Sequence, residues 1–276
     1  MIILLTGAPG VGKSTIVEHF IQQYTEPIRW VMTKEIRDSD GARVGFRAVT
    51  SSGEEAVVSH KTAIESEFSD GANKVDVSVV DRFFPLDELG KKRERLVIID
   101  EIGPIQLLSR SFRQALGALF SAPRKRLLIA TIHQSDVRLA RYKTALGVIY
   151  ITLTMQNRNL VQEALGTVIA NRSDVDTLRA AQLKRLSTLL QQTLDAAQPL
   201  QLHKLLNNAL KYVAEGRVKR RGFFSFIVSG NHGEHHVVRS EQTYLCDCDL
   251  AKGSGVYHDQ AGVCSHMQAV MIAKRA

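Results

Sequence analysis

The first fifteen residues constrain the chain most. Met1 to Leu5 is an unbroken apolar run, and it leads directly into Gly7-x-x-x-x-Gly12-Lys13-Ser14 and a helix-like pattern. Strand, glycine-rich loop and helix in that order form the Walker A layout. Glycines let backbone N–H groups turn inward as a nest around phosphate oxygens, where a Cβ would obstruct the turn. The helix that follows points unpaired donors and a partial positive charge at the same anion. The spacing predicts that Gly7, Ala8, Pro9, Gly10, Val11, Gly12, Lys13, Ser14 and Thr15 line a nucleotide phosphate, ATP or GTP. Lys13 is placed for the β- and γ-phosphates and the Ser14 hydroxyl for Mg²⁺.

A second apolar strand, Leu96 to Ile99, ends in Asp100-Glu101. Such a strand reads as central in a parallel sheet, and carboxylates at its C-terminal end emerge where open α/β folds bind ligands. Asp100 is the expected Mg²⁺ ligand, and Glu101 the expected general base for water. Arg126 to Thr131 reads as another buried strand, delivering His133 to the same edge, either as a γ-phosphate sensor or as a turn cap. Ile28 to Thr33, Arg43 to Thr50, Val57–Val58, Val75 to Val80 and Val148 to Leu153 are further strands. Lys34 to Gly41 reads as a loop, and Phe83 to Gly90 has room for only a short helix. In the first helix Ile16, Phe20 and Ile21 are expected to face inward, and a later helix runs to about Ala170. The alternation predicts a doubly wound parallel sheet with flanking helices and right-handed crossovers.

Five motifs lie in order here: the Gly7 to Ser14 loop, Thr33-Lys-Glu-Ile-Arg37, Gly41-Ala-Arg-Val-Gly-Phe46, Asp100-Glu-Ile-Gly103 and Asn157-Arg-Asn159. Together they make residues 1–170 resemble the THEP1-type nucleoside triphosphatases, a P-loop group related to the RecA and AAA folds. The resemblance implies hydrolysis of nucleoside triphosphates with loose base choice. It also implies that Arg37 and Arg43 lie near the phosphates, where arginines neutralise transition-state charge. Two departures stand out: Ile105-Gln106 replaces a Met-Glu-type pair, and the segment between Val80 and Leu96 is abbreviated.

Residues 171–216 have a different character. Leu183, Leu186, Leu190 and Leu194 recur at helical spacing, Pro199 interrupts, and Leu202, Leu205, Leu206, Leu210 and Val213 resume up to Gly216. The pattern predicts a helical linker whose leucines serve packing or a homo-oligomer contact. Arg217 to Arg221 reads as a basic hinge into a last module, 217–276, in which Phe223 to Ser229 and His236 to Glu241 flank the turn Gly230-Asn-His-Gly233.

All three cysteines of the chain fall in that module, as Cys246-x-Cys248 and, after fifteen residues, Cys264-x-His266. An odd, clustered set argues for metal rather than disulfides. Four N and S donors suit a closed tetrahedral zinc site, and so little apolar mass makes folding dependent on the metal. Met267, Val270 and Met271 of a terminal helix are expected to pack on the hairpin. His232, His235 and His236 are expected on its exposed face rather than on the metal. The order of ligands, hairpin and helix over about 210–273 resembles the SWIM zinc finger, a ββα module, and this resemblance implies binding of DNA or protein. Residues 171–276 carry 14 Lys and Arg against 9 Asp and Glu, which suits a polyanion.

No apolar run approaches the roughly 18 residues of a membrane span, and the start of the first strand at Ile2 leaves no room for a leader, so the expectation is cytoplasmic. An Mg²⁺-dependent NTPase coupled to a zinc module is the leading reading. The alternatives are a nucleotide-gated switch with slow hydrolysis and a nucleoside or nucleotide kinase. An acidic residue straight after Asp100 argues against the kinase.

Overall fold

A computed structural model describes residues 1–24, 28–84, 96–121, 127–145, 147–195, 202–240, 243–248 and 264–273. It divides into two units, Met1–Ala145 and Leu146–Ala276. The expected short helix over 83–90, the abbreviated stretch before Leu96, Arg126, Pro199 and Glu241 fall wholly or partly outside the described residues.

In the first unit the apolar runs become β1 (Ile2–Gly7), β7 (Leu96–Ile102) and β8 (Leu127–Ile132), with Ile2, Leu4, Ile98 and Ile129 fully buried. Between β1 and β7 come α1 (Lys13–Gln23), β2 (Ile28–Arg37), β3 (Arg43–Thr50), β4 (Glu55–His60), β5 (Ser69–Asp70), β6 (Asn73–Val75) and α2 (Val77–Phe83). A 3-10 turn at Gln106–Leu108 and α3 (Arg110–Ser121) lead into β8, and α4 (Ala140–Lys143) closes the unit. The strands lie in the order β5-β6-β4-β3-β2-β7-β8-β1.

The sheet is mixed, not parallel throughout. β2, β7, β8 and β1 are parallel neighbours, whereas β3, β4, β6 and β5 add antiparallel strands beyond β2. Link length explains the difference. Residues 38–42 join β2 to β3, far fewer than the dozen or so a parallel crossover needs. Asp38 fixes that turn: its Oδ1 accepts from the N–H groups of Asp40 and Ala42 at 3.1 and 2.8 Å, and Gly41 takes φ +79°. The expected loop therefore shrinks, because Lys34 to Arg37 continue β2.

Two other expectations change. Val75 to Val80 is mostly helix, because the Asp76 carboxylate accepts from Ser78 N and Val79 N (2.9 and 3.3 Å) and caps α2, whose Val80 and Phe83 are buried. In α1 the buried residues are Ile16, Val17 and Phe20; Ile21 is only half-buried.

The second unit contains β9 (Val148–Leu153), α5 (Arg158–Ala170), α6 (Arg172–Asp176), α7 (Ala180–Asp195) and α8 (Leu202–Ala214). Then follow β10 (Val218–Arg220), β11 (Ser225–Gly230), β12 (Gly233–Ser240), β13 (Thr243–Cys246) and α9 (Ser265–Ala273). Leu183, Leu186, Leu190 and Leu194 are buried as the spacing predicts, and so are Leu206, Leu210 and Val213. The flank of α7 next to this stripe binds backbone: Ser187 Oγ accepts from Tyr150 N at 2.8 Å, and Gln191 Oε1 from Thr152 N at 2.7 Å. Those side chains satisfy β9 donors that would be costly to bury unpaired.

β10 to β13 form a four-stranded antiparallel sheet rather than a single hairpin, and the basic "hinge" is its edge strand β10. A two-stranded hairpin is marginal alone, and further strands with a covering helix give it a buried face. α9 packs on that sheet and also on α8 and α7, with Met267, Val270 and Ile272 buried.

Candidate functional site

In the first unit the parallel strands β1, β7 and β8 deliver their C-terminal ends to one sheet edge, where open α/β folds bind ligands. There they border a cavity of about 1090 Å³. The loop after β1 reaches the cavity through Gly7, Pro9, Gly10, Gly12, Lys13, Ser14 and Thr15, and Gly10 and Gly12 take φ +75° and +102°. A Cβ at either would touch nothing within 4 Å, so backbone conformation rather than crowding calls for glycine there. Ala8 is exposed and Val11 is buried beneath the loop. Lys13 folds over its own loop, with Nζ donating to Gly7 O at 2.9 Å and Ala8 O at 3.1 Å.

Asp100 and Glu101 are consecutive residues near the C-terminal end of β7. Asp100 is buried and accepts hydrogen bonds from the hydroxyls of Thr131 and Ser14. Burial raises its pKa above the ordinary carboxylate value, and those two bonds oppose the rise. Glu101 is pushed up to about 7, first by burial and then by the neighbouring Asp100 charge, with Lys13 pulling the other way. Its carboxyl occupies the space beside Gly103, where an added Cβ would lie 2.9 Å from Oε1.

Gln106 is buried and lines the same cavity as the two carboxylates. Its Oε1 accepts from Gly103 N at 3.2 Å and its Nε2 donates to Thr33 Oγ1 at 3.4 Å, which ties the turn after β7 to β2. His133 follows β8, and its backbone N–H donates to Ile102 O at 3.0 Å. Its Nδ1 is buried with no hydrogen-bond partner among the described residues.

Arg37 and Arg43 both border the cavity, and both bind Glu35: Arg37 through Nη2, Arg43 through Nη1 at 3.1 Å. Arg37 Nη1 also donates to Gly41 O at 2.7 Å, and the Arg43 guanidinium lies 5.0 Å from the Phe46 ring centre. Burial works against charge on Glu35, yet bonds from Arg43 and Arg37 hold its carboxyl below the usual range. Sequence reasoning missed Glu35 and Thr131. Glu35 sits two residues before Arg37, and alternation along β2 was the signal that places both on one face.

In the second unit the donor atoms of Cys246, Cys248, Cys264 and His266 all lie within 4.8 Å of one another. Cys246 closes β13 and His266 lies in the first turn of α9, with Sγ and Nδ1 3.9 Å apart. Ligand atoms about 2.3 Å from a tetrahedral zinc stand about 3.8 Å apart, so this donor set fits the ion. Hydrogen bonding, chiefly from Cys264 and then His266, depresses the Cys246 thiol, while the same Cys246 contact and burial raise Cys264.

The His266 ring is held between Tyr212 of α8 (5.5 Å, 3° between planes) and His235 of β12 (4.0 Å, 27°). His235 in turn contacts Asp247, 3.4 Å from Nδ1 to Oδ1. His232 and His236 are exposed as expected, whereas His235 is half-buried against the cluster. Asn157 is buried in the turn between β9 and α5: it accepts from Thr154 N at 2.8 Å and donates to Thr152 O at 3.0 Å.

Comparison with known proteins bears on the first of these sites. A family model described as NTPase matches residues 2–165. The chain is 35% identical over 183 residues to the nucleoside-triphosphatase THEP1 of Thermotoga sp. (strain RQ2), covering 63% of this chain and 99% of that protein. It is 31% identical over 173 residues to the nucleoside-triphosphatase THEP1 of Aquifex aeolicus, covering 59% and 96%. The crystal structure of THEP1 from Aquifex aeolicus superposes with a TM-score of 0.53 at 30% identity, over 60% of this chain and 96% of that one. With the glycine-rich loop and paired carboxylates at one cavity, these matches establish that the chain belongs to the THEP1 nucleoside-triphosphatase family.

Proposed function

We propose that the chain is an Mg²⁺-dependent ATP or GTP phosphohydrolase whose turnover is coupled to a zinc-stapled C-terminal module that binds DNA. The observation that carries the hydrolase reading is the meeting of the loop, Lys13, Asp100 and Glu101 in one cavity. The loop amides and Lys13 hold the phosphates. Ser14 and Asp100 would hold Mg²⁺, whose chemistry is to neutralise phosphate charge, and their oxygen donors suit that hard cation. A water oxygen attacks the γ-phosphorus, the bond to the β–γ bridging oxygen breaks, and Glu101 takes the water's proton. Arg37 and Arg43 exchange Glu35 for the charge that develops on the transferred phosphoryl group.

Glu101→Gln tests this assignment. It is expected to keep nucleotide affinity, read with a fluorescent ATP analogue, and to lose phosphate release by at least 100-fold; full turnover would remove Glu101 from its role.

Residues 1–170 are assigned to catalysis, 171–216 to a helical linker and 217–276 to the SWIM-like module. Cys246, Cys248, Cys264 and His266 supply its zinc ligands, and the excess of basic residues favours DNA over a protein partner. One observation supports a second reading, a switch that hydrolyses slowly: the buried group beside the carboxylates is the neutral Gln106 amide. Steady-state kcat with and without DNA separates the two, since large stimulation supports coupling and none supports the switch.

A further inference from the structure

The turn between β10 and β11 exposes aromatic surface that the fold does not use. Phe223 is 81% and Phe224 54% exposed, with ring centres 5.4 Å apart and planes at 70°. Adjacent large apolar residues left in water mark a contact surface. The turn that presents them is fixed, because Arg221 N and Gly222 N both donate to Ser225 O, at 2.9 and 3.1 Å.

Three cations precede the pair in the chain. Lys219, Arg220 and Arg221 are exposed, and none pairs with a carboxylate among the described residues. Arg220 lies 5.3 Å from the Phe223 ring centre and is steadied by bonds to Gly222 O (3.0 Å) and Phe223 O (3.4 Å). Arg217, by contrast, is engaged by Glu215 and lies over Tyr212, 5.7 Å from the ring centre. The usable basic strip is thus Lys219 to Arg221.

We infer that the Phe223–Phe224 turn is a stacking platform for unpaired bases of single-stranded nucleic acid, with Lys219, Arg220 and Arg221 on the backbone phosphates. The inference rests on the DNA-binding reading of the C-terminal module and names the strand form and the residues. Exposed aromatic faces beside unpaired cations are how proteins hold single strands without sequence preference, each base offering a π-face and each phosphate a charge. A duplex hides its base faces, so it gains only the cations. A bilayer fits less well: the Arg220 charge sits level with the Phe223 ring, and inserting that ring would carry the guanidinium towards hydrocarbon.

The test uses full-length, zinc-loaded protein at about 0.1 M salt, near a Debye length of about 10 Å. Fluorescein-labelled dT15, a 15-bp duplex and phosphatidylcholine–phosphatidylglycerol vesicles are the probes. Wild type is expected to bind dT15 at least tenfold more tightly than duplex. Phe223→Leu/Phe224→Leu keeps apolar bulk but removes the rings, and should bind dT15 at least tenfold more weakly. Phe223→Trp should retain binding and show emission quenched by dT15 above the background of the single native tryptophan, Trp30. Lys219→Gln/Arg221→Gln should lower the slope of log K against log salt by about 0.7 per cation removed.

Zinc content and thermal melts of each variant establish that the module is folded. Should the leucine variant be unfolded, the Trp quenching and the salt slope decide. Equal binding of dT15 by wild type and the folded leucine variant, a preference for duplex, or vesicle binding in place of dT15 binding overturns the platform alone. No binding of either DNA overturns the DNA reading and the platform together.

Discussion

Glu101 carries the electrostatic tension of the nucleotide cavity. Burial and Asp100 raise it to about 7, so in the free enzyme the proposed base is half protonated near neutrality. The value of kcat/KM is therefore expected to climb tenfold per pH unit below about 7 and to level off above it, since kcat/KM reports groups of the free enzyme. A flat profile from pH 5.5 to 8 would show that another group is the base. The same shift bears on folding. Between the unfolded value of 4.5 and about 7 the native state holds the proton more tightly, so stability declines across that window as pH rises and is lowest above it. Glu101→Gln removes the buried charge and should melt higher than wild type at pH 8, by at most about 3 kcal/mol, with the gap closing at pH 5. His133 presents the complementary case. An orphaned buried nitrogen costs stability until a ligand meets it. His133→Leu is expected to weaken binding of a non-hydrolysable triphosphate by about tenfold while sparing the diphosphate, measured by calorimetry; equal losses for both would remove the γ-phosphate from its role.

At the scale of elements, the segments legible in the sequence are those whose periodicity has one physical solution. β1, β7 and β8 each open on an unbroken apolar run because both faces of a parallel strand are covered, and α7 shows its leucines every three or four residues. Where a local side chain outweighs the pattern, the reading fails: valines at 75, 77, 79 and 80 promise a strand, but the Asp76 cap starts a helix. β10 and β13 span only three and four residues, too short to show alternation, and exist because β11 and β12 offer them edges. The candidate sites divide in the same way. Lys13, Asp100 and the four candidate metal donors lie in compact motifs, while Thr131, Tyr212 and His235 join them only through tertiary packing. That packing is testable at Gly230, where an added Cβ would lie 2.6 Å from His266 Nε2. Gly230→Ala should push the ring from between Tyr212 and His235 and weaken zinc binding at least tenfold in competition with a chromophoric chelator. Unchanged affinity would show that the ring is not held in place. Leu186→Ala, at a fully buried site on α7, should cost about 2–5 kcal/mol in denaturant unfolding without altering zinc affinity in the folded protein.

For the whole molecule, the question is whether nucleotide and nucleic acid communicate, and thermodynamics supplies a test that needs no knowledge of the route. If the units are coupled, a non-hydrolysable ATP analogue changes the affinity for dT15 by some factor, and dT15 must change the affinity for the analogue by the same factor. Coupling of about 1–3 kcal/mol corresponds to a factor of roughly 5–150, within reach of two titrations on one preparation. Reciprocity applies to binding and not to kcat, so stimulated hydrolysis is a separate observable. Equal factors well above one, together with faster turnover on dT15, would make the protein an NTPase that acts on the strand it holds. Equal factors with unchanged turnover would make the nucleotide a gate, consistent with the neutral Gln106 beside the carboxylates. Factors of one in both titrations would reduce the C-terminal module to a tether and remove coupling from the proposed function, while leaving hydrolysis untouched. Cys246→Ser provides the internal control: if the module needs its metal to fold, as proposed, the substitution should release zinc, measured by elemental analysis, and drive both factors to one.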